Sequence, residues 1–200
     1  MPKIVNHEKL KVKVAEAAWR VLRREGLEGA TVRKIAEEAG ISPGSMRHYF
    51  STQSDLIYYS MNLVSERVKK RIQNLKFTGN PSHDACLLLF EFLPIDEEKR
   101  AEMEVWLIFN MKALSDPTLQ ELVDKVYLET KQGIAFIIDA LIQHGIAREN
   151  MNRDVEIQVL YALLDGLTLQ GIMKPEIVTP EFIKRTINHH IESLCIKRAE

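Results

Sequence analysis

Between its few glycines and prolines the chain spaces apolar residues three and four apart, and nowhere does it sustain the alternation of a half-buried strand. Val14, Ala17, Ala18, Val21 and Leu22 make one such stripe, with Gly26 after it as a stop. Val32, Ile35, Ala36 and Ala39 make a second, with Thr31 before it as an N-cap and Gly40 behind it. Pro43 then falls in a first turn behind Ser42, another capping residue. From Ser51 a long helix carries Ile57, Met61, Val64, Val68, Ile72 and Leu75 and fades at Thr78-Gly79-Asn80-Pro81. Further helices are expected from Ser82 to Phe92, Asp96 to Leu114, Asp116 to His144, Asn152 or Asp154 to Gly171–Pro175, and from Thr179-Pro180 along Ile183, Ile187, Ile191 and Leu194. The expected fold is all-α, with about nine helices and no repeat.

Charge is unevenly placed. Residues 1–55 hold ten Lys/Arg against seven Asp/Glu, while 56–200 hold seventeen against twenty-one, so a net −1 conceals a basic head on an acidic body. That asymmetry suggests that only the head meets an anionic partner. No apolar run approaches the roughly 18 to 20 residues of a membrane span. The opening MPKIVNHEKLKVKV is charged throughout, unlike a secretory signal, so a cytoplasmic protein without a membrane association is expected. Cys86 and Cys195 match no metal-ligand spacing; they can pair, or stay as thiols in a reducing compartment. There is no Glu-x-x-His pair and no Cys/His cluster, and neither a metal nor a cofactor is expected.

The stretch Gly40-Ile41-Ser42-Pro43-Gly44 fits two patterns. As G-x-S-x-G it is a hydrolase nucleophile elbow, which needs a buried strand before it. What precedes it is TVRKIAEEA, spaced as an amphipathic helix, and the six histidines single out no triad partner, so no enzyme is expected. As a turn it joins a support helix Thr31–Ala39 to a recognition helix Pro43–Phe50 through Gly40–Ser42, which is a helix-turn-helix spanning about residues 31–50. Ala36 and Ala39 are small enough for the two helices to close up, and Ile41 and Met46 would pin the turn to the core. Ser45, Arg47, His48 and Tyr49 then crowd polar donors onto a short exposed helix, with Phe50 expected buried and Tyr49 either a contact or a packing residue.

TVRKIAEEAGISPGSMRHYFSTQSDLI, with its alanine-glycine turn, its HYF and the leucine six residues on, resembles the signature of TetR-family transcriptional regulators. The preceding VAEAAWRVLRREGLEGAT resembles that family's first helix and the loop after it. The resemblance implies a three-helix DNA-binding head, residues 1–52, on a helical body, residues 53–200, that senses a ligand and dimerises. It also implies a homodimeric repressor that binds double-stranded DNA at a palindromic operator through Pro43–Phe50 and is released by a small-molecule effector. Two positions depart from the family pattern: Arg47 stands where an aromatic is usual, and Gln53 where a phosphate-touching lysine is usual. Arg47 is either a solvated residue or a contact to phosphate or to guanine O6/N7, and His48 either a phosphate contact or a packing residue. Gly44 would let backbone approach the duplex, and Thr31 would offer its hydroxyl and the first helical N–H groups to a phosphate. The DNA-contacting set is therefore Thr31, Ser42, Gly44, Ser45, Arg47, His48, Tyr49 and Gln53.

A symmetric operator needs recognition helices about 34–36 Å apart, or a further whole turn, hence a dimer. The last two helices, about 154–171 and 180–195, are the expected interface, through Ile157, Leu160, Tyr161, Leu164 and Leu167, with Gly166 and Gly171 letting helices pack closely; the same stripe also reads as core. EVWLIFNMKALSDPTLQELV and LYALLDGLTLQGIM resemble the C-terminal half of regulators related to the choline-responsive BetI repressor. Met103, Trp106, Phe109, Met111 and Tyr127 either line an apolar pocket, able to hold a quaternary ammonium by cation–π contact, or are core. His144, Asp165 and Gln170 are pocket polar groups or exposed residues.

Overall fold

The structure, a computed structural model, describes residues 2–196, and side chains within 7–26 and 28–196. Among these residues there are nine α-helices and no strand. They are α1 (Pro2–Gly29), α2 (Val32–Ala39), α3 (Pro43–Tyr49), α4 (Gln53–Gln73), α5 (Pro81–Leu89), α6 (Glu97–Ala113), α7 (Gln120–Gln143), α8 (Arg153–Met173) and α9 (Pro180–Leu194). Short 3-10 turns at Phe90–Phe92 and Pro117–Leu119 complete the chain. The expected stops are real ones. Gly26 breaks α1 with φ +72°, a left-handed conformation that glycine adopts without a Cβ penalty. Thr31, Ser42, Asn80, Asn152 and Thr179 each accept a backbone N–H from the third residue on, so α2, α3, α5, α8 and α9 start on side-chain caps.

The helices form two compact units, Met1–Arg67 with Glu104–Val123, and Val68–Met103 with Asp124–Glu200. The first takes in the 1–52 region and adds to it residues 53–67 and 104–123. Its core is built from the α1 stripe (Val14, Ala17, Ala18, Val21, Leu22) closed by Ile35, Ala36 and Ala39 of α2, Met46 of α3, Phe50 and Leu56. Arg67 of α4 pairs with Glu16, and its guanidinium lies 5.0 Å above the Trp19 ring.

The second unit has the larger core, in which Ala85, Cys86 and Leu89 of α5 pack with Ile134, Ile138 and Leu141 of α7, Ile157, Leu160, Leu164 and Leu167 of α8, and Ile183, Ile187 and Ile191 of α9. The α8 stripe expected at a subunit interface is therefore core of its own protomer. Its glycines also differ. A Cβ on Gly171 would come within 3.0 Å of both Ile183 and Pro94, so helices do pack closely there, whereas a Cβ on Gly166 would meet nothing within 4 Å. Cys86 and Cys195 are both free thiols, and burial pushes the Cys86 thiol up to about 12.

Two arginines tie this unit together. Arg71, at the end of α4, donates Nη1 and Nη2 to Glu102 at 3.0 and 2.7 Å and Nε to Glu91 at 2.6 Å. Both carboxylates are buried, Glu102 completely. Burial pulls the guanidinium down, but the two acids outweigh it and hold it above the ordinary arginine range. Arg100, in the first turn of α6, donates to the carbonyls of Gly171 and Ile172 at 2.9 and 3.0 Å, satisfying acceptors that the end of α8 leaves without helical partners.

Candidate DNA-binding site

The turn between α2 and α3 follows from its residues. Gly40 ends α2 at φ +66°, with its N–H donated to the Glu37 carbonyl at 3.0 Å, while the Ile41 N–H reaches the Ala36 carbonyl at 2.9 Å. These are the two bonds of a Schellman ending, and Ile41 supplies its usual apolar contact by packing on the first unit's core. Ser42 is extended (φ −75°, ψ 151°) and its hydroxyl accepts the Ser45 N–H at 3.1 Å, so α3 starts one residue later on Pro43. The two helices joined by this turn run over Val32–Ala39 and Pro43–Tyr49, against the expected Thr31–Ala39 and Pro43–Phe50.

Burial then sorts the faces of α3. Met46 and Phe50 are buried, and Gly44, Arg47 and His48, which share one helical face by their i, i+3 and i, i+4 spacing, are exposed. Ser45 and Tyr49 flank that face and are half-buried. Tyr49 packs on the core of the first unit and stands 4.5 Å from the His7 ring and 5.6 Å from His48, so it both packs and borders the exposed face. Thr31, Ser42 and Gln53 are exposed, each at the start of a helix: Thr31 and Ser42 as caps, Gln53 as first residue of α4.

The charges of this region fall into two groups. On the α1–α2 side, Glu38 accepts from Arg20 at 2.7 Å and Arg24 at 3.2 Å, and Glu25 pairs with Lys34. Those bonds hold the Glu25 and Glu38 carboxyls below the usual range. Arg47 and Arg33 have no carboxylate partner among the described residues, and neither has Lys13, whose ammonium lies near Gly40. The cations without a protein counter-charge thus include the one on the exposed face of α3. A guanidinium there is suited to bidentate recognition of phosphate or guanine. A Cβ placed on Gly44 would meet only the Ser42 hydroxyl, at 3.9 Å, so nothing in the fold requires this glycine.

The five residues read as a possible pocket are less uniform. Met103 and Phe109 are buried, Trp106 is half-buried, Met111 is 60% exposed and Tyr127 is 38% exposed. Phe109 and Met111, two residues apart on α6, project from nearly opposite sides of the helix. Tyr127 instead meets Tyr161 of α8, ring centroids 5.0 Å apart, with the Lys131 ammonium 5.6 Å from its own ring. Tyr161, hydrogen-bonded to Thr130, is raised to about 12, first by burial and then by the nearby Asp165; Asp165 itself is raised by burial to about 6. His144 and Gln170 are exposed. No group of three or more His, Cys, Asp or Glu among the described residues could hold a metal ion, and no helix among them is long and apolar enough to cross a membrane.

A two-helix turn that fixes an exposed, cationic second helix is the geometry of a helix-turn-helix DNA reader, and comparison with known proteins gives the class its name. Residues 14–58 match the family described as bacterial regulatory proteins of the tetR family, and residues 84–196 match the C-terminal region of BetI-type transcriptional repressors. The chain belongs to the TetR family of DNA-binding transcriptional repressors, with a BetI-type C-terminal half; it is a regulator and not an enzyme. It is 39% identical over 198 residues to the HTH-type transcriptional regulator PksA of Bacillus subtilis, covering 98% of this chain and 95% of that one. Among solved structures it resembles a transcriptional regulator from Rhodococcus sp. Rha1, 27% identical, with a TM-score of 0.79 over 92% of this chain and 95% of the other. It also shares its fold with a regulator from Saccharomonospora viridis in complex with choline, 22% identical, with a TM-score of 0.82 over 96% and 100%.

Proposed function

We propose that the chain acts in the cytoplasm as a homodimeric repressor whose residues 1–52 read a palindromic operator and whose residues 53–200 bind a small molecule that releases it. The observation that carries the reading is the exposed face of α3, where Gly44, Arg47 and His48 stand together and Arg47 has no carboxylate partner among the described residues. Arg47 is assigned to a base or phosphate, Gly44 to close backbone approach, and Thr31, Ser42, Ser45, His48, Tyr49 and Gln53 to positioning contacts with the sugar-phosphate backbone.

Two protomers are needed to present two such faces. The face of α8 turned away from the core supports the second copy: Val155, Val159, Leu169 and Met173 are exposed there, with Ala162 and Gly166 between them and exposed Phe182 on α9. Small residues flanked by apolar ones suit close helix packing across a two-fold axis, and the free space over Gly166 is where a partner helix would lie. A ligand that favours one arrangement of the body would shift the population of DNA-competent dimers by no more than its differential affinity. The choline bound to the Saccharomonospora viridis regulator supports a body that takes a small molecule.

The test is selection of bound duplexes from a random pool, followed by footprinting. The expected winner is an inverted repeat with half-sites spaced by whole helical turns. Arg47→Ala should weaken its binding by about 1–3 kcal/mol and relax preference at one position per half-site. No enrichment at low salt by a folded protein would overturn the reading.

A further inference from the structure

Asp165 sits in the middle of α8, partly buried, and among the described residues no hydrogen bond or ion pair reaches its carboxylate. Every other buried or partly buried acid among the described residues of the second unit is answered. Asp84 is met by Thr78 and Gly79, Glu91 and Glu102 by Arg71, Glu129 by Lys69, Asp139 by Arg153 and Glu156 by Arg148. An aspartate is also a poor residue for a helix interior. An unpaired, half-desolvated carboxylate in that position destabilises the fold, and its charge is what a cationic ligand would compensate.

Its surroundings narrow the ligand further. Tyr161 precedes Asp165 by one turn on the same face of α8 and packs against Tyr127 of α7. The two rings are 5.0 Å apart and tilted by 43°, so they touch each other and leave no gap in which a quaternary ammonium could sit between ring faces. The Lys131 ammonium, 5.6 Å from the Tyr127 ring, already supplies that ring with a cation. What is left unsatisfied is a hydrogen-bond acceptor carrying a negative charge, beside an aromatic wall. We infer that Asp165, backed by the Tyr127–Tyr161 pair, is a binding site for a protonated amine, a primary or secondary ammonium ion with an apolar tail. The ammonium donates charge-assisted hydrogen bonds to the carboxylate, and the tail lies along the tyrosines. The inference rests on the reading of the body as the effector-binding part, and it names the class of effector.

The experiment uses the full chain at neutral pH, with a series of alkylammonium ions from butyl to octyl, each beside its N-trimethylated counterpart and its alcohol. Thermal melting and titration calorimetry report binding. The alkylammonium ions should raise the melting temperature. The trimethylated ions, which cannot donate to the carboxylate, and the neutral alcohols should bind about tenfold more weakly or worse. Asp165→Asn keeps the side-chain shape and removes the charge, and should lose about tenfold or more in amine affinity, whereas Glu149→Gln, at an exposed position, should lose none. Equal binding of the trimethylated ions, equal binding by Asp165→Asn, or no binding across the whole amine series overturns the site. Duplex selection on the same preparation separates the two readings: DNA enrichment without amine binding removes the site and keeps the regulator, and amine binding without enrichment does the reverse.

Discussion

Gly40 and Gly44 lie four residues apart and answer to different demands. Gly40 holds φ +66° at the turn, so a Cβ there is strained whatever the space around it. Gly44 is helical, has open space where a Cβ would go, and weakens its short helix. Gly40→Ala should therefore cost about 1–2 kcal/mol of stability, read in a denaturant titration. Gly44→Ala should leave stability equal or raise it by up to about 1 kcal/mol, while, on the proposed contact, weakening operator binding about tenfold because the methyl group would stand between backbone and DNA. A variant at Gly44 that binds its operator as tightly as the parent would remove that glycine from the interface.

At the scale of elements, what was legible in the sequence was what local chemistry decides. Thr31, Ser42, Asn152 and Thr179 announce their helices because a hydroxyl or amide at the N-cap has one nearby donor to satisfy, and each makes that bond. Asp96 does the same for α6, accepting the Lys99 N–H at 2.8 Å. The faces of α8 were not legible in the same way. That helix carries apolar residues on two sides, Ile157, Leu160, Leu164 and Leu167 inward and Val155, Val159, Leu169 and Met173 outward, and hydrophobicity alone does not say which set meets its own protomer. Asp165 reads from the sequence as a pocket polar group or an exposed residue, and the sequence does not choose, because an unpaired acid is visible only once its possible partners have been placed. Arg71 shows the converse, since Glu91 and Glu102 lie 20 and 31 residues away in sequence. Removing it as Arg71→Met should strand two buried carboxylates, only one of them still met by Lys99, and cost about 3–5 kcal/mol. A urea titration checks this, and replacing Arg71, Glu91 and Glu102 together by apolar residues of similar volume should recover most of the loss.

For the molecule as a whole, the outward face of α8 is the proposed seat of the homodimer. Gly166→Glu puts a charge where no neighbour within the chain stands, so it should leave the protomer folded. It should shift the sedimenting species from dimer to monomer and abolish footprinting of the paired half-sites, while a dimer that persists would move the interface to another face. The end of α8 also has a mechanical attachment. Arg100 holds the carbonyls of Gly171 and Ile172 through two N–H vectors of one planar guanidinium, which resists twisting as well as stretching. The first turn of α6 and the last turn of α8 are thereby bracketed rather than tethered. Sliding the start of α6 along its axis is opposed by these two bonds to the tail of α8. This bracket adds to the packing of α8 against α5, α7 and α9, so the last turn of α8 is fixed to α6 as well as to the core.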